Sequence, residues 1–382
     1  MKYVLSALGF ALLAIISVAC QPPTVSQPGG VPAAVGPSRA AVPQICQNKG
    51  IMTSTDFVSK RAFFLPAGSN FDPRLGNPPS GPSIDGTNPF ATDLAAAFDA
   101  APSSLQAMLC DRDFNVFIVQ NACSSSPCTA KDVIDNSWGF RQQISSPKRY
   151  IATSAVLWQS GSLPSFDVYA GMRLQAALQR LDANAKNWPG PPQFAPTPPN
   201  TAVLSLLAVL AHEAGHVLWY DAFVPSPGGS FNPSNFCSGN FYPQPPSAGS
   251  WSSINIPHVN DTPGRWIEFG ERLVNEVHNP DHAKLIKDEL SGSQFPNAGK
   301  RLLALLQDLG LADTLAGFSP DEDFVETYQW YVLTNAGLTD LTIKITGQSD
   351  YNIPRGFAHK RQLQTKFNCL TQYIQAQSWP LP

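Results

Sequence analysis

Charged residues are few in this chain, and glutamates fewer still. Only 14% of the residues are charged and the formal net charge is −3. There is no basic stripe of the kind that phosphate backbones or anionic lipid surfaces demand, so no nucleic-acid partner is expected. The seven glutamates are Glu213, Glu268, Glu271, Glu276, Glu289, Glu322 and Glu326, which confines any glutamate chemistry to the second half of the chain. No two cysteines form a C-x-x-C pair, which argues against a structural zinc site of thiolates. No internal repeat is visible. Apolar residues are plentiful, at 43% of 382 residues, enough to fill a sizeable core, while 36 prolines and 27 glycines imply loops wrapped around a smaller regular scaffold.

The N-terminus reads as an export address. Lys2 precedes an apolar stretch at 3–18 that is too short to span a bilayer, and Ser17-Val18-Ala19 is a small-x-small cleavage pattern. Cys20 follows at once, and the segment resembles a lipobox with Ser17 where leucine is usual. Residues 1–19 are therefore expected to be a signal peptide, with Cys20 as the lipidation site of a bacterial cell-envelope lipoprotein. Plain secretion is the alternative, and membrane contact is expected only through that lipid. Residues 20–43, rich in Pro, Gly and Ala, cannot bury a face and should act as a tether. Lipidation of Cys20 leaves six of the seven cysteines, an even set suited to disulfides in an oxidising compartment. Six thiols allow about 15 pairings. Cys123 and Cys128 are the expected local bridge.

Residues 93–110 predict a helix broken at Pro102, and 115–120 and 149–158, rich in Val, Ile, Phe and Tyr, predict strands. Residues 166–188 read as an amphipathic helix. Asn200 or Thr201 can cap the next one, whose Val203, Leu204, Leu206, Leu207, Val209, Leu210 and Ala211 make it apolar nearly all round and therefore central. A long loop at 223–257 follows. Helices are expected at 265–277, 281–290, 299–309, 320–335 and 357–375, and a strand at 341–346.

The central helix carries His212-Glu213-Ala214-Gly215-His216. Positions i and i+4 share a helix face, so the two imidazoles can meet one metal ion, expected to be Zn²⁺. Glu213 is rotated off that face yet lies beside it, where a carboxylate can take a proton from water polarised by the ion. Ala214 and Gly215 are small enough to let another backbone approach. A catalytic zinc needs a third protein ligand. A metzincin-like histidine six residues beyond His216 is excluded, because Ala222 stands there and Trp219 replaces the glycine.

Glu322 and Glu326 form an E-x-x-x-E pair on one helical face, able to supply a ligand and, one turn on, an acceptor for a ligand histidine N–H. Here the chain resembles a gluzincin. The segment from Glu322 to Tyr328 is similar to the second motif of lethal-factor-like and related bacterial zinc-binding metallopeptidases, a resemblance confined to that segment and 212–216. It implies Glu322 as the third ligand and Glu326 as its support. Two rival readings stand. Ser319-Pro320-Asp321-Glu322 is also a capping box, and Glu276 offers another candidate ligand, although Pro280 occupies the place of a supporting carboxylate. His258, His278, His282 and His359 read as surface residues. The family's tyrosine about two turns before the ligand glutamate is missing. Tyr328, Tyr331, His258 or a loop residue could replace it, and the oxyanion donor is left open.

The expected fold is an α+β zincin-like domain over 44–382, with a small sheet packed on the active-site helix in an N-terminal lobe and a mainly helical C-terminal lobe. The strand at 149–158 is expected to line the cleft and bind substrate through its backbone. The expected function is hydrolysis of peptide or protein substrates by a monomeric zinc metallopeptidase with Glu213 as general base. The alternatives are a non-catalytic lipoprotein whose metal site is structural, and a zinc hydrolase acting on a non-protein amide.

Overall fold

The computed structural model describes residues 41–65, 84, 88–111, 114–120, 138–141, 149–158, 161–181, 193–223, 320–344, 351–353 and 361–376. The expectations for the signal peptide, Cys20, most of the tether, the Cys123–Cys128 bridge, nearly all of the 223–257 loop and the helices between 265 and 309 lie outside the described residues.

Runs of alternating inward and outward apolar residues build the first sheet. Strands β1 (Ala62–Leu65), β2 (Asn115–Val119), β3 (Trp138–Arg141) and β4 (Arg149–Ser154) lie in the order β1-β2-β4-β3. The first three in that order are parallel, and β3 runs antiparallel to β4 at the edge. Side chains alternate across a strand. Val116, Ile118 and Ile151 therefore join the main core, while Leu65, Phe117, Val119, Tyr150 and Ala152 form a separate cluster. Burial on both faces explains the nearly continuous apolar sequence of β2, as is usual for parallel strands.

The strand expected at 149–158 stops at Ser154, and 155–158 winds into a 3₁₀ turn whose Trp158 donates its indole N–H to Asp93 at 2.6 Å. Its place in the sheet also corrects the expectation that it binds substrate. β4 is paired on both sides, with β2 and β3, so its backbone has no open edge to offer. Among the described residues the open edge on that side of the sheet belongs to β3.

Helices cover the sheet. Short α1 (Gln44–Asn48) and α2 (Ser54–Arg61) precede it, and α3 (Pro89–Ala100) and α4 (Ser103–Cys110) part at Pro102, where the missing N–H and the ring forbid a continuous helix. A disulfide joins Cys46 to Cys110, closing a sequence separation of 64 residues. By the chain-entropy model a loop of that length stabilises the fold by about 4 kcal/mol. α5 (Phe166–Leu181) leads to α6 (Ala202–Phe223). Leu204, Leu206, Leu207, Val209, Leu210, Ala211, Ala214, Val217 and Leu218 of α6 are all buried. Complete burial of a leucine or valine contributes roughly 1.5–3 kcal/mol, so this helix is the pin of the domain. It packs on β3, β4, α3 and α5, and most extensively on α7 (Pro320–Asn335).

The C-terminal helix α8 (Arg361–Ala376) packs on α7. A second, three-stranded sheet draws β5 (Gln193–Phe194), from before α6, beside β6 (Thr342–Lys344) and β7 (Tyr351–Asn352). One contact between α7 and α8 is ionic. Lys366 Nζ donates to Asp323 Oδ2 at 2.5 Å, with both side chains almost wholly buried. Breaking a buried pair strands a desolvated charge, so Lys366→Met should lower unfolding free energy by about 3–5 kcal/mol, measured by urea denaturation. A cost below about 1 kcal/mol would show that the pair contributes no more than a surface one.

Candidate metal centre

Helix geometry places His212 and His216 one turn apart on the same face of α6. Their rings meet edge to face at 84° with centroids 4.9 Å apart, and the two Nε2 atoms lie 3.3 Å from each other. Gly215 lets α7 approach. A Cβ at that position would sit 3.2 Å from Tyr328 Cδ1 and 3.3 Å from the Val325 Cα and Cγ1, so only hydrogen fits at this crossing without displacement.

That approach brings Glu322 in α7's first turn over the histidines. Its Oε2 is 3.7 Å from His212 Nε2 and its Oε1 is 3.7 Å from His216 Nε2. The donor atoms of all three residues fall within 4.8 Å of one another. A tetrahedral zinc with bonds of about 2.0–2.2 Å holds its ligand atoms roughly 3.3–3.6 Å apart, so the spacing fits such an ion to within a few tenths of an ångström. The chemistry of the set fits as well: two imidazoles and one carboxylate make a His₂Glu donor set, which leaves a fourth position open. The three side chains are partly exposed, at 14%, 15% and 24%, so water can reach them.

The other residues singled out in the sequence occupy distinct places. Glu213 is buried, with 2% exposure. Glu326, fully buried one turn beyond Glu322, has its Oε1 2.8 Å from His212 Nδ1. The acceptor at Nδ1 favours the tautomer that leaves the Nε2 lone pair facing Glu322 and His216. Tyr328 is buried against Gly215 and stacked with Tyr331 at 6.3 Å. Burial first, and Tyr331 second, push the Tyr328 hydroxyl above the usual phenol range. Tyr331 packs in turn against Phe367, the two rings tilted at 49°. Ser319, Glu276, His258, His278, His282 and His359 lie outside the described residues.

Two members of the cluster were not anticipated. Arg173 of α5 contacts Glu326 Oε1 through its Nη2 and donates from Nη1 to Gln329 Oε1 at 2.5 Å. Gln329 Nε2 in turn donates to Glu326 Oε2 at 3.2 Å. A signal for Arg173 existed. It falls in phase with Phe166, Tyr169, Ala170 and Leu174 on the buried stripe of α5, where a cation is out of place unless something pairs with it.

The tight crossing at Gly215 yields a prediction. In Gly215→Ala, helix propensity improves by about 1 kcal/mol, against an overpacking cost of about 1–3 kcal/mol. The metal-free chain should therefore change by no more than about 2 kcal/mol. Zinc affinity should fall at least about fivefold, because α7 and Glu322 are pushed off together. Chelator competition and urea denaturation measure the two separately, and unchanged affinity would contradict the role given to this crossing.

Comparison with protein-family models, with curated proteins and with solved structures finds no match for the chain.

Proposed function

We propose that the protein is a zinc-dependent peptidase, in which His212, His216 and Glu322 would hold the ion and Glu213 is the general base. The observation that carries this reading is the convergence of His212 Nε2, His216 Nε2 and the Glu322 carboxylate within 4.8 Å, from two helices, in a partly exposed place beside a buried Glu213. Bound zinc would supply Lewis acidity, polarising water and a substrate carbonyl. Glu213 takes the proton that the attacking water loses and delivers it to the departing amine, as one carboxylate can within a single cycle. Glu326 holds His212 by its Nδ1, so that the imidazole presents Nε2.

Substrate placement is assigned to β3. Among the described residues it is the antiparallel edge of the first sheet, and it packs on α6, so an extended peptide pairing with its outer backbone would lie alongside the helix that carries the histidines. Together with the export pattern and Cys20, the proposal is of an envelope-anchored enzyme that meets peptides or proteins outside the cytoplasm.

The test is cleavage of a peptide library by purified protein loaded with one equivalent of zinc, read by mass spectrometry, with and without a chelator. Cleavage that a chelator stops and zinc restores supports the enzyme. A full complement of zinc without cleavage of any peptide would favour a binding module with a structural metal, and cleavage confined to non-protein amides would reassign the substrate.

A further inference from the structure

We propose that Arg173, reaching in from α5, is a positioning residue for the metal ligand His212. The inference rests on the zinc reading above and adds a residue that the motif does not contain.

The first turns of α5 and α6 are clasped together. Asp167 Oδ1 accepts from the Thr197 N–H at 3.0 Å and from its hydroxyl at 2.6 Å, Thr197 Oγ1 lies 2.8 Å from Thr201 Oγ1, and the Ser205 hydroxyl donates to the Pro164 carbonyl at 2.8 Å. These bonds fix the axial register of the two helices, and Arg173 consequently comes level with His212. Tyr169, one turn back on the same stripe, sets its ring centroid 6.0 Å from the guanidinium carbon, at the outer limit of a cation–π contact.

From there the planar fork of Arg173 completes a closed ring with Glu326 and Gln329. One arm meets Glu326 Oε1, the other meets Gln329 Oε1, and the Gln329 amide returns to Glu326 Oε2. Arg173, Glu326 and Gln329 are 4%, 0% and 1% exposed, so no solvent softens the ring. Both oxygens of Glu326 are held, which fixes the plane of the carboxylate and aims Oε1 at His212 Nδ1. The guanidinium itself is 3.5 Å from that nitrogen, too far for a good hydrogen bond, whereas Glu326 is at 2.8 Å. Arg173 therefore acts on His212 through Glu326. A lysine could keep the charge but not the fork.

The experiment compares zinc dissociation constants, by competition with a chromophoric chelator, for wild type, Arg173→Lys, Arg173→Met, Gln329→Leu and Leu370→Ala. The temperature is one at which circular dichroism shows all of them folded. Leu370 is a buried residue of α8, and its truncation supplies a loss of stability without touching the ring. Both Arg173 variants should bind zinc about 10- to 100-fold more weakly, the span typical of groups that orient a metal ligand, and Leu370→Ala should bind as wild type does. Should the Arg173 variants fail to fold, Gln329→Leu carries the test, with an expected loss of at least about threefold. Full recovery by Arg173→Lys, equal weakening in Leu370→Ala, or unchanged affinity in the ring variants would each overturn the proposal. A wild-type chain that binds no zinc overturns the zinc reading and this inference with it; wild-type binding that Glu322→Gln weakens and the ring variants do not overturns the inference alone.

Discussion

Glu213→Gln is expected to keep one zinc per chain and to lose peptide hydrolysis by about 10²- to 10⁴-fold in kcat/KM, the usual worth of a positioned general base. The asymmetry follows from where Glu213 stands. The residue is one position along α6 from His212 and is buried, outside the group of His212, His216 and Glu322 donors. Glutamine keeps its volume and its capacity for hydrogen bonds, so the packing of α6 against its neighbours should survive. What is removed is the ability to accept a proton and return it. The loss should therefore appear in kcat, with KM nearly constant, since an interaction made only in the transition state is withdrawn. The measurement is steady-state kinetics on any peptide that the wild type cleaves, paired with metal analysis of the same samples. Equal loss of zinc and activity would instead make Glu213 a structural member of the site.

Glu322→Gln should weaken zinc binding by more than about 100-fold, beyond the 10- to 100-fold typical of outer groups, because it removes one of three protein donors. This substitution also separates the two readings of Glu322. Glutamine serves as well as glutamate at the third position of a capping box, so a residue that merely closes its own helix would tolerate the exchange, with zinc affinity and stability both near wild type. A ligand would not tolerate it, since a neutral amide is a far poorer donor to a divalent ion than a carboxylate. Chelator competition gives the affinity, and the melting temperature of the metal-free variant reports any loss in α7.

The two helices that bring the candidate site together were legible because each states its case locally. Residues 202–211 are apolar on nearly every side, Ser205 excepted, which only a central helix tolerates, and 320–335 opens on a proline and is observed as Pro320–Asn335. The break at Pro102 was legible for the same reason. The sheet was half visible. β2 and β4 announce themselves with runs of branched and aromatic residues, whereas β1 and β3 are four residues each, too short for a period of two to register. Neighbour order is less local still. Nothing within 149–158 tells whether it lies at an edge or between partners, and the placement of β4 between β2 and β3 follows from the whole chain. The disulfide from Cys46 to Cys110 is of that kind, since its register depends on how α1 meets α4.

The polar interior was the least readable part. Arg173, Asp323, Gln329 and Lys366 interrupt apolar stripes, and taken alone each looks like a surface residue. Their partners are 43 to 156 positions away or, for Gln329 and Glu326, one turn along the same helix. A charge in phase with a buried stripe was the available clue, and it points to a pair without naming the partner.

The most direct measurement is anomalous diffraction at the zinc edge from crystals of the protein grown with one equivalent of zinc. One peak is expected, about 2.0–2.1 Å from Nε2 of His212 and of His216 and about 2.0–2.2 Å from an oxygen of Glu322. A peak elsewhere, or no peak beside the two histidines at full zinc occupancy, would contradict the central claim that these three side chains form a metal centre.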